Sequence, residues 1–340
     1  MEIIIILIIL IIILLALLQS KTVKSNSGVK VTVENFVVSE THMYIKKYFE
    51  RIGQVNTFFH HRDFEIDNSV IRMNLDTLYS IAIIDLNTGP VSINLPQIDD
   101  RYLSCNVLDE NHYEVLFTKN GGKYTFKPED HEGRYLVCIM RILVKQRTPE
   151  EIQHVNKIQD SLIIEATDYP KKLNLPEYDL KSYEYVKGLI KNLFETSPQM
   201  TSRGMFGSKE EVNELKHLMG VYLGWGGLKE EYVIYDSRFV DNNDGITEYQ
   251  LNFGEVPVDA FWSIIVYDNN GYIYEQGNNT LNNFTTIPNE DGTYTINFSN
   301  DNSKINNLNI GKGWNYTIRM YEPREEILNG SWKFPKEQEF

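Results

Sequence analysis

The stretch that decides the fold reads VIRMNLDTLYS and covers residues 70–80. Arg72, Asn74 and Asp76 occupy alternate positions in it, and apolar residues fill the positions between them. Successive side chains of a β-strand point to opposite faces of the sheet. The pattern therefore predicts a strand with one apolar face and one face that presents a cation, an amide and a carboxylate.

The rest of the sequence continues this strand-like pattern in two blocks. Short alternating runs separated by turn sequences extend from residue 66 to 145, and they return from about residue 230 to 322. Such spacing is typical of antiparallel sandwiches and barrels. A helix is predicted over residues 33–52, and a helical middle section begins at Thr148, which is followed by a proline at the first helical position. We therefore predict a mainly β protein with two antiparallel β-sandwich domains and a helical connector.

The composition excludes several classes of protein. The chain has 340 residues, 42% of them hydrophobic, and its formal charge of −14 repels nucleic acid, which we do not expect as a partner. Cys105 and Cys138 both lie in strand-like runs, so buried free thiols are favoured over a disulfide. Because the sequence contains no CxxC or HExxH motif, we expect neither a metal nor another cofactor.

Residues 3–18 read IIIILIILIIILLALL and contain no polar side chain. As a helix they would rise about 24 Å, slightly less than the hydrocarbon core of a bilayer at about 30 Å. We predict an N-terminal hydrophobic helix that acts as a single-pass membrane anchor. Secretion after signal-peptide cleavage is the alternative, although Leu18-Gln19-Ser20 is a poor cleavage site. The side of the membrane stays open, because the lysines after the run favour a cytoplasmic body and five Asn-x-Ser/Thr sequons favour an exported one.

Several longer motifs resemble a known pair of families. The sequence VIRMNLDTLYSIAIIDLNTGPVSINLP, with DDRYLSCNVLDENHYEVLF and GRYLVCIMRILV after it, resembles the family called domain of unknown function 1254. In the second half, YLGWGGL, VDAFWSIIVYDNNGYI and GKGWNYTIRMYEPREEILNGSWKFP resemble domain of unknown function 1214. The resemblance implies two jelly-roll-like β-sandwiches joined through helices, often in a homo-oligomer, and it implies little chemistry.

The expected domain boundaries follow from these motifs and from the changes in pattern. The first β-sandwich domain, with flanking helices, resembles family 1254, and the second resembles family 1214. The boundaries are 1–20 for the anchor or signal, 21–32 for a tether, 33–167 for the N-terminal domain, 168–222 for the helical connector and 223–336 for the C-terminal domain.

Arg72, Asn74 and Asp76 form the first candidate site. Residues four positions apart in a strand are separated by about 13 Å, so we expect Arg72 and Asp76 to contact one extended ligand. The guanidinium offers a forked donor for a carboxylate or phosphate, and the carboxylate offers an acceptor or a base. Tyr79 adds a hydroxyl, and the family motif includes it together with Asn74 and Asp76. The alternative interpretation is a solvated sheet face with cross-strand ion pairs, which contribute little stability.

Glu110, His112 and Glu114 form the second candidate site, within the sequence LDENHYEV. Alternation would place these three side chains on one strand face, where a carboxylate orients an imidazole and raises its basicity. The arrangement suits acid–base chemistry with His112 as the base. Metal sites of the cupin kind need a further histidine on the same strand, so we predict no metal here.

The sequence leaves three functional interpretations. The favoured one is a membrane-tethered double β-sandwich protein that binds a small polar or anionic ligand, or acts at a surface, without turnover. The second is a hydrolase or lyase that uses Asp76 or His112 as a base and Arg72 to bind an anion. The third is a structural component of an oligomeric assembly or a virus-like particle. The first is favoured because the sequence shows no complete catalytic constellation.

Overall fold

The structure is a computed structural model that describes residues 28–66, 71–197 and 202–339. The predicted N-terminal hydrophobic helix, and the tether up to residue 27, lie outside these residues. No helix in the described part of the chain is long and apolar enough to cross a membrane. The prediction of a mainly β fold is confirmed, because the described residues form four sheets and few helices.

The elements follow one another along the chain in three groups. The helices are α1 (Phe36–Ile52), α2 (Pro149–Asp160), α3 (Leu180–Glu195), α4 (Glu214–Gly224) and α5 (Glu325–Leu328). The first eight strands are β1 (Phe58–His60), β2 (Thr77–Asp85), β3 (Val91–Leu95), β4 (Leu103–Leu108), β5 (Glu114–Thr118), β6 (Gly122–Phe126), β7 (Tyr135–Leu143) and β8 (Ile163–Glu165). The second eight are β9 (Val233–Arg238), β10 (Tyr249–Phe253), β11 (Val258–Tyr267), β12 (Thr280–Asn282), β13 (Tyr294–Phe298), β14 (Asn307–Leu308), β15 (Asn315–Pro323) and β16 (Gln338–Glu339).

The N-terminal half is a sandwich of two antiparallel sheets. A five-stranded sheet in the order β1-β2-β7-β4-β5 faces a three-stranded sheet in the order β6-β3-β8. Leu78 and Met140 from the large sheet and Ile93 from the small sheet belong to one buried apolar cluster between the two. Cys105 and Cys138 lie in the same cluster as free thiols, as predicted, with their sulfur atoms 3.6 Å apart instead of the roughly 2.05 Å of a disulfide.

The C-terminal half is a second sandwich with its own core. Its sheets have the orders β14-β13-β10-β16 and β12-β11-β15-β9, and the pairing is antiparallel except between β13 and β14. Trp262 and Ile318 from one sheet pack with Leu251 and Phe298 from the other. Two sandwiches are thus present, as the sequence predicted, and their jelly-roll connectivity stays an expectation.

The predicted helices at residues 33–52 and after residue 148 are confirmed as α1 and α2. The Thr148 side chain caps α2 by accepting a hydrogen bond from the Glu151 backbone at 3.3 Å. Helix α1 packs through Ile45 on Ile81 and Ile83, which point away from the sandwich core. One part of the outer face of the five-stranded sheet is therefore covered by a helix.

The C-terminal sandwich covers another part of that outer face. Tyr102 and Leu143 of the first sandwich pack with Val233, Phe261 and Tyr321 of the second. The Tyr102 ring lies 5.6 Å from the Phe261 ring and 5.4 Å from the Tyr321 ring, in edge-on geometry. These contacts bring the outer faces of two sheets together, and they determine where buried polar groups from the two halves meet.

Candidate functional site

The outer face of the five-stranded sheet carries a row of polar residues at its centre. Arg141 in β7 is directly opposite Tyr79 in β2 on one side and Ser104 in β4 on the other. Residues directly opposite in antiparallel strands share a face, so these three side chains point away from the N-terminal core. The next position on the same face of β7 is Ile139, which belongs to the apolar cluster beneath α1.

The C-terminal sandwich presents a matching row on the sheet that faces the first half. Arg319 in β15 is opposite Ser263 in β11 and Tyr235 in β9, and Ser263 is in turn opposite Asn282 in β12. The neighbouring strand positions, such as Ile318, point into the C-terminal core instead. The row therefore lies on the outer face of its own sandwich.

The two rows meet between the sandwiches, because Tyr235 is within electrostatic reach of both Arg141 and Arg319. We call the combined set the polar layer. It consists of Asp76, Tyr79, Ser104, Arg141, Tyr235, Ser263, Asn282 and Arg319. Most of it is buried, but Tyr79 and Tyr235 are partly exposed, so the layer reaches solvent on their side.

Arg141 is a buried cation without an ion pair. Its residue is 5% exposed, and no carboxylate in the described part of the chain forms a salt bridge with it. One guanidinium nitrogen, Nη2, donates to the carbonyl of Gly226, and the group lies 5.3 Å from the centre of the Tyr79 ring. The other terminal nitrogen, Nη1, has no hydrogen-bond partner among the described residues. Arg141 therefore keeps a free donor inside the polar layer.

Arg319 is buried to the same degree but has a different neighbourhood. It is 3% exposed, its Nη2 donates to the carbonyl of Arg72 at 2.8 Å, and its Nη1 has no partner among the described residues. The guanidinium lies 5.8 Å from the ring centre of Tyr267. Unlike Arg141, it has a carboxyl group nearby, that of Asp76, whose pKa it lowers.

Asp76 is the carboxyl group of the polar layer and is 1% exposed. Burial raises the pKa of its carboxyl group, and the Ser263 hydroxyl, Arg319 and Arg147 oppose that rise. Oδ1 accepts a long hydrogen bond of 3.4 Å from Asn282. Oδ2 has no hydrogen bond of acceptable geometry among the described residues, although the Ser263 hydroxyl lies near it. The carboxyl group thus keeps one oxygen available.

Charge is unbalanced in the polar layer. Arginine stays protonated in proteins, so Arg141 and Arg319 place two positive charges beside a single carboxyl group. A buried charge that lacks a partner costs several kcal/mol. The layer is therefore chemically suited to an anion, which would pair with a guanidinium.

Both halves of the chain match family models. The model described as protein of unknown function DUF1254 matches residues 55–166, and the one described as protein of unknown function DUF1214 matches residues 233–325. The chain belongs to the DUF1254–DUF1214 family. Arg141 lies within the DUF1254 match and Arg319 within the DUF1214 match, so each domain contributes one arginine to the polar layer.

Two solved structures are similar to this chain in fold. The VPA0106 protein from Vibrio parahaemolyticus has a TM-score of 0.70 at 18% identity, over 91% of this chain and 97% of that one. A putative uncharacterized protein from Burkholderia cenocepacia has a TM-score of 0.51 at 13% identity, over 83% of this chain and 81% of that one. No curated protein matches the sequence. At such identities these likenesses concern the fold alone.

The predicted strand over Arg72, Asn74 and Asp76 is wrong. Strand β2 begins at Thr77, and Arg72 has a φ of +52°, in the left-handed region that breaks the alternation of a strand. The Asn74 side chain accepts a hydrogen bond from the Asp76 backbone at 2.8 Å, a local contact that favours a turn. The three side chains therefore do not share a strand face.

These three side chains nevertheless all reach the DUF1214 domain. Arg72 donates to the Thr317 hydroxyl at 2.7 Å, and Asn74 donates to the Tyr321 hydroxyl at 2.8 Å. Asp76 and Tyr79 belong to the polar layer, whereas Arg72 contributes its carbonyl to Arg319. The segment thus joins the two domains, and a role of Arg72 and Asn74 in ligand binding stays a prediction.

The predicted strand face of Glu110, His112 and Glu114 is also wrong. His112 has a φ of +62° within a turn, in which its backbone N–H donates to the Asp109 carbonyl at 3.0 Å, and strand β5 begins only at Glu114. The turn separates the three side chains, and each has different partners. They do not form one acid–base set.

Glu110 and Glu114 contact unrelated groups. Glu110 makes a 2.5 Å contact with His42 Nε2 and accepts backbone hydrogen bonds from Arg134 and Tyr135 at 2.7 and 2.8 Å. Glu114 accepts a hydrogen bond from the Tyr232 hydroxyl at 3.3 Å, and burial raises the pKa of its carboxyl group to about 7. The first contact network ties α1 to the DUF1254 domain.

His112 lies beside the polar layer. Its Nε2 accepts a hydrogen bond from the Gly226 backbone at 2.7 Å, and the carbonyl of the same glycine contacts Arg141. Burial, with a smaller effect of His217, lowers the pKa of His112 well below 6.5, so the ring is neutral. Hydrogen bonding through Gly226 thus connects His112 to Arg141.

Sequence reasoning missed the two arginines that define the polar layer. Arg141 lies in YLVCIMRILV and Arg319 in NYTIRMYEP, and each is a cation inside a strand of otherwise mostly apolar residues. A charged residue in a strand that is buried on both faces needs a partner, which is a signal visible in the sequence. What the sequence did not contain was the pairing of the two domains that brings these residues together.

Two further features of the structure bear on function. Within the described residues no group of three or more histidine, cysteine, aspartate or glutamate side chains is arranged to hold a metal ion. An open cavity of about 470 Å³ lies at another edge of the domain interface and is lined by groups including Phe117, Lys119, Tyr232 and Glu322. Its acidic lining makes it a poor entrance for an anion.

Proposed function

We propose that this DUF1254–DUF1214 protein binds a small anionic ligand in the polar layer between its two β-sandwiches. The observation that carries the proposal is Arg141, a buried guanidinium with a free Nη1 donor and no ion pair among the described residues. A carboxylate or phosphate matches the fork of donors that a guanidinium offers. An anion there would offset the cost of burying the charge.

The remaining groups of the layer supply the polar contacts that such a ligand needs. The hydroxyls of Ser104 and Ser263 and the Oδ2 atom of Asp76 lie buried without hydrogen bonds of acceptable geometry in the described chain. Hydroxyl donors suit anion oxygens, and a carboxylate oxygen suits a ligand hydroxyl. This set favours a small anion that carries polar substituents over an apolar acid.

The site would be complete only when both domains are in place. The DUF1254 domain supplies Arg141, Ser104 and Tyr79, whereas the DUF1214 domain supplies Arg319 and Ser263. A ligand that contacts both rows stabilises their association, because it binds the assembled state only. The partly exposed Tyr79 and Tyr235 mark the side from which it would enter.

We further propose that the body is tethered to a membrane through residues 3–18. The support is the unbroken apolar run in the sequence, followed by a short polar segment before the folded body. The body begins where the Val29 backbone donates to the Glu177 carbonyl at 2.7 Å. Release after cleavage of the run, and assembly as a homo-oligomer, are the alternatives to test by fractionation and light scattering.

The hydrolase or lyase alternative has weaker support. It assigned the base to Asp76 or His112 and the anion clamp to Arg72. Asp76 bonds Asn282, His112 bonds Gly226 and Arg72 bonds Thr317, so no hydrogen bond links any two of the three.

Isothermal titration calorimetry of the full chain in mild detergent tests the anion site, with inorganic phosphate and malonate as probes. We expect saturable binding of at least one probe, and its loss in Arg141→Met. Arg101→Met is the matched control, because Arg101 is also a buried guanidinium but is paired with Glu151 at 2.8 Å. Binding that survives in Arg141→Met, or that is absent from the unaltered chain, contradicts the proposal.

A further inference from the structure

His112 is buried in a pocket of rings that leaves it one strong hydrogen bond. Its ring centre lies 5.8 Å from that of Phe206, 5.6 Å from that of His217 and 5.7 Å from that of Trp225. Its Nε2 atom accepts from the Gly226 backbone at 2.7 Å, so the ring proton of the neutral imidazole is on Nδ1. The ring therefore acts as an acceptor towards a single peptide.

That peptide has a restricted orientation. Gly226 has a φ of +81°, a value that residues with a side chain rarely adopt, and a Cβ atom on it would lie 3.1 Å from the Cδ1 atom of Ile139. The peptide N–H points to His112, and the carbonyl on the other side of the residue accepts from Arg141 Nη2. Glycine thus permits a close approach of the backbone to the guanidinium.

We infer that His112 is a positioning residue, which holds Gly226 so that its carbonyl orients the Arg141 guanidinium and leaves Nη1 directed into the polar layer. This inference rests on the proposed anion site. Without an acceptor at the Nε2 position, the buried Gly226 N–H loses its partner, and a buried unpaired donor drives the peptide to move. The carbonyl moves with it, and Arg141 loses the contact that fixes its orientation.

Two substitutions separate positioning from simple packing. His112→Gln keeps an acceptor near the position of Nε2, because the glutamine amide oxygen reaches about as far as that atom. His112→Met keeps an apolar side chain of similar length and removes the acceptor. His42→Met is the matched control, since His42 is also a buried histidine but bonds Tyr178 and Glu110, at 2.9 and 2.5 Å.

The test is calorimetric titration of each full-chain variant in mild detergent with inorganic phosphate and malonate, beside thermal unfolding without either anion. We expect His112→Met to weaken anion binding about tenfold, the effect of one hydrogen bond to a charged network, while His112→Gln and His42→Met stay within about twofold of the unaltered chain.

The outcomes distinguish the two proposals. If Arg141→Met abolishes binding but His112→Met binds as the unaltered chain does, the inference about His112 is overturned and the anion site stands. Equal weakening in His112→Gln and His112→Met also overturns it, because both variants then report packing alone. If the unaltered chain binds neither anion, or Arg141→Met binds as well as it does, the anion site itself is wrong.

Discussion

Arg141 and Arg319 occupy corresponding places in the two sandwiches but differ in how their charge is compensated. Each lies in a long central strand, on the face directed towards the other domain, and each has a free Nη1 atom within the described chain. Arg319 has the Asp76 carboxyl group in its neighbourhood, whereas the groups around Arg141 are a carbonyl and tyrosine rings. The difference teaches that the two buried cations serve different purposes: Arg319 belongs to the fold, and Arg141 is available for a ligand.

Removal of Arg319 should have the largest effect on stability. Arg319→Met leaves the buried Asp76 without one of the cations that lower the pKa of its carboxyl group, and it breaks the 2.8 Å bond to the Arg72 carbonyl. Breaking a buried charge interaction from one side costs roughly 3 kcal/mol. We expect a decrease of that size in the free energy of unfolding, measured by urea denaturation in the absence of added anions.

Arg141→Met is the matched substitution and should behave differently. It removes a buried cation that has no carboxylate partner, so we expect the free energy of unfolding without anions to change by no more than about 1 kcal/mol. The comparison breaks down if both substitutions destabilise the chain equally, because Arg141 would then be compensated by a group of the fold.

The pH dependence of stability distinguishes the surroundings of the layer from its rim. His112 has a pKa well below 6.5 in the folded chain, so the unfolded chain binds more protons below pH 6.5 and stability falls as the pH is lowered there. Glu114 has a folded pKa of about 7, so it stabilises most below pH 4.5 and loses this contribution as the pH rises through 7.

Substitutions that cannot titrate should remove these two slopes separately. His112→Gln should flatten the loss of stability on the acid side of pH 6.5, and Glu114→Gln should flatten the loss between pH 4.5 and 7. Urea midpoints from pH 4 to 8 measure both. An unchanged acid slope in His112→Gln would show that other groups govern it.

Tyr79 should have the smallest effect and sharpens the description of Arg141. Its ring lies beneath the guanidinium, at 5.3 Å, and it is partly exposed, so a cation–π contact there contributes roughly 1 kcal/mol. Tyr79→Leu should lower the free energy of unfolding by about that amount, and Tyr79→Phe should leave it nearly unchanged. Similar losses in the two variants would assign the contribution to the hydroxyl instead.

Much of the fold could be predicted from the sequence, because local rules determine it. The strand blocks, the helix at residues 33–52 and the cap at Thr148 follow from alternation, helical spacing and capping preference. The predicted strand over residues 70–76 failed because alternation of residue types is also compatible with a turn. Asn74 forms such a turn by accepting from the Asp76 backbone.

The candidate site could be predicted only in part, because contacts between domains determine it. Asp76 and Tyr79 belong to the polar layer, but Arg141 and Arg319 are 178 positions apart and meet only when two sheets pack outer face to outer face. His112 was expected to act as a base on a strand. Its left-handed backbone conformation places it in a turn against Gly226 instead, which alternation of residue types could not reveal.

Diffraction from crystals of the chain soaked in bromide tests the central claim most directly, because anomalous scattering locates this anion without prior assumptions. The account predicts a bromide ion in the polar layer, within hydrogen-bonding distance of Arg141 Nη1, and no such peak in Arg141→Met. Bromide bound only at the outer surface of the unaltered chain, or a peak in the layer that persists without Arg141, would contradict it.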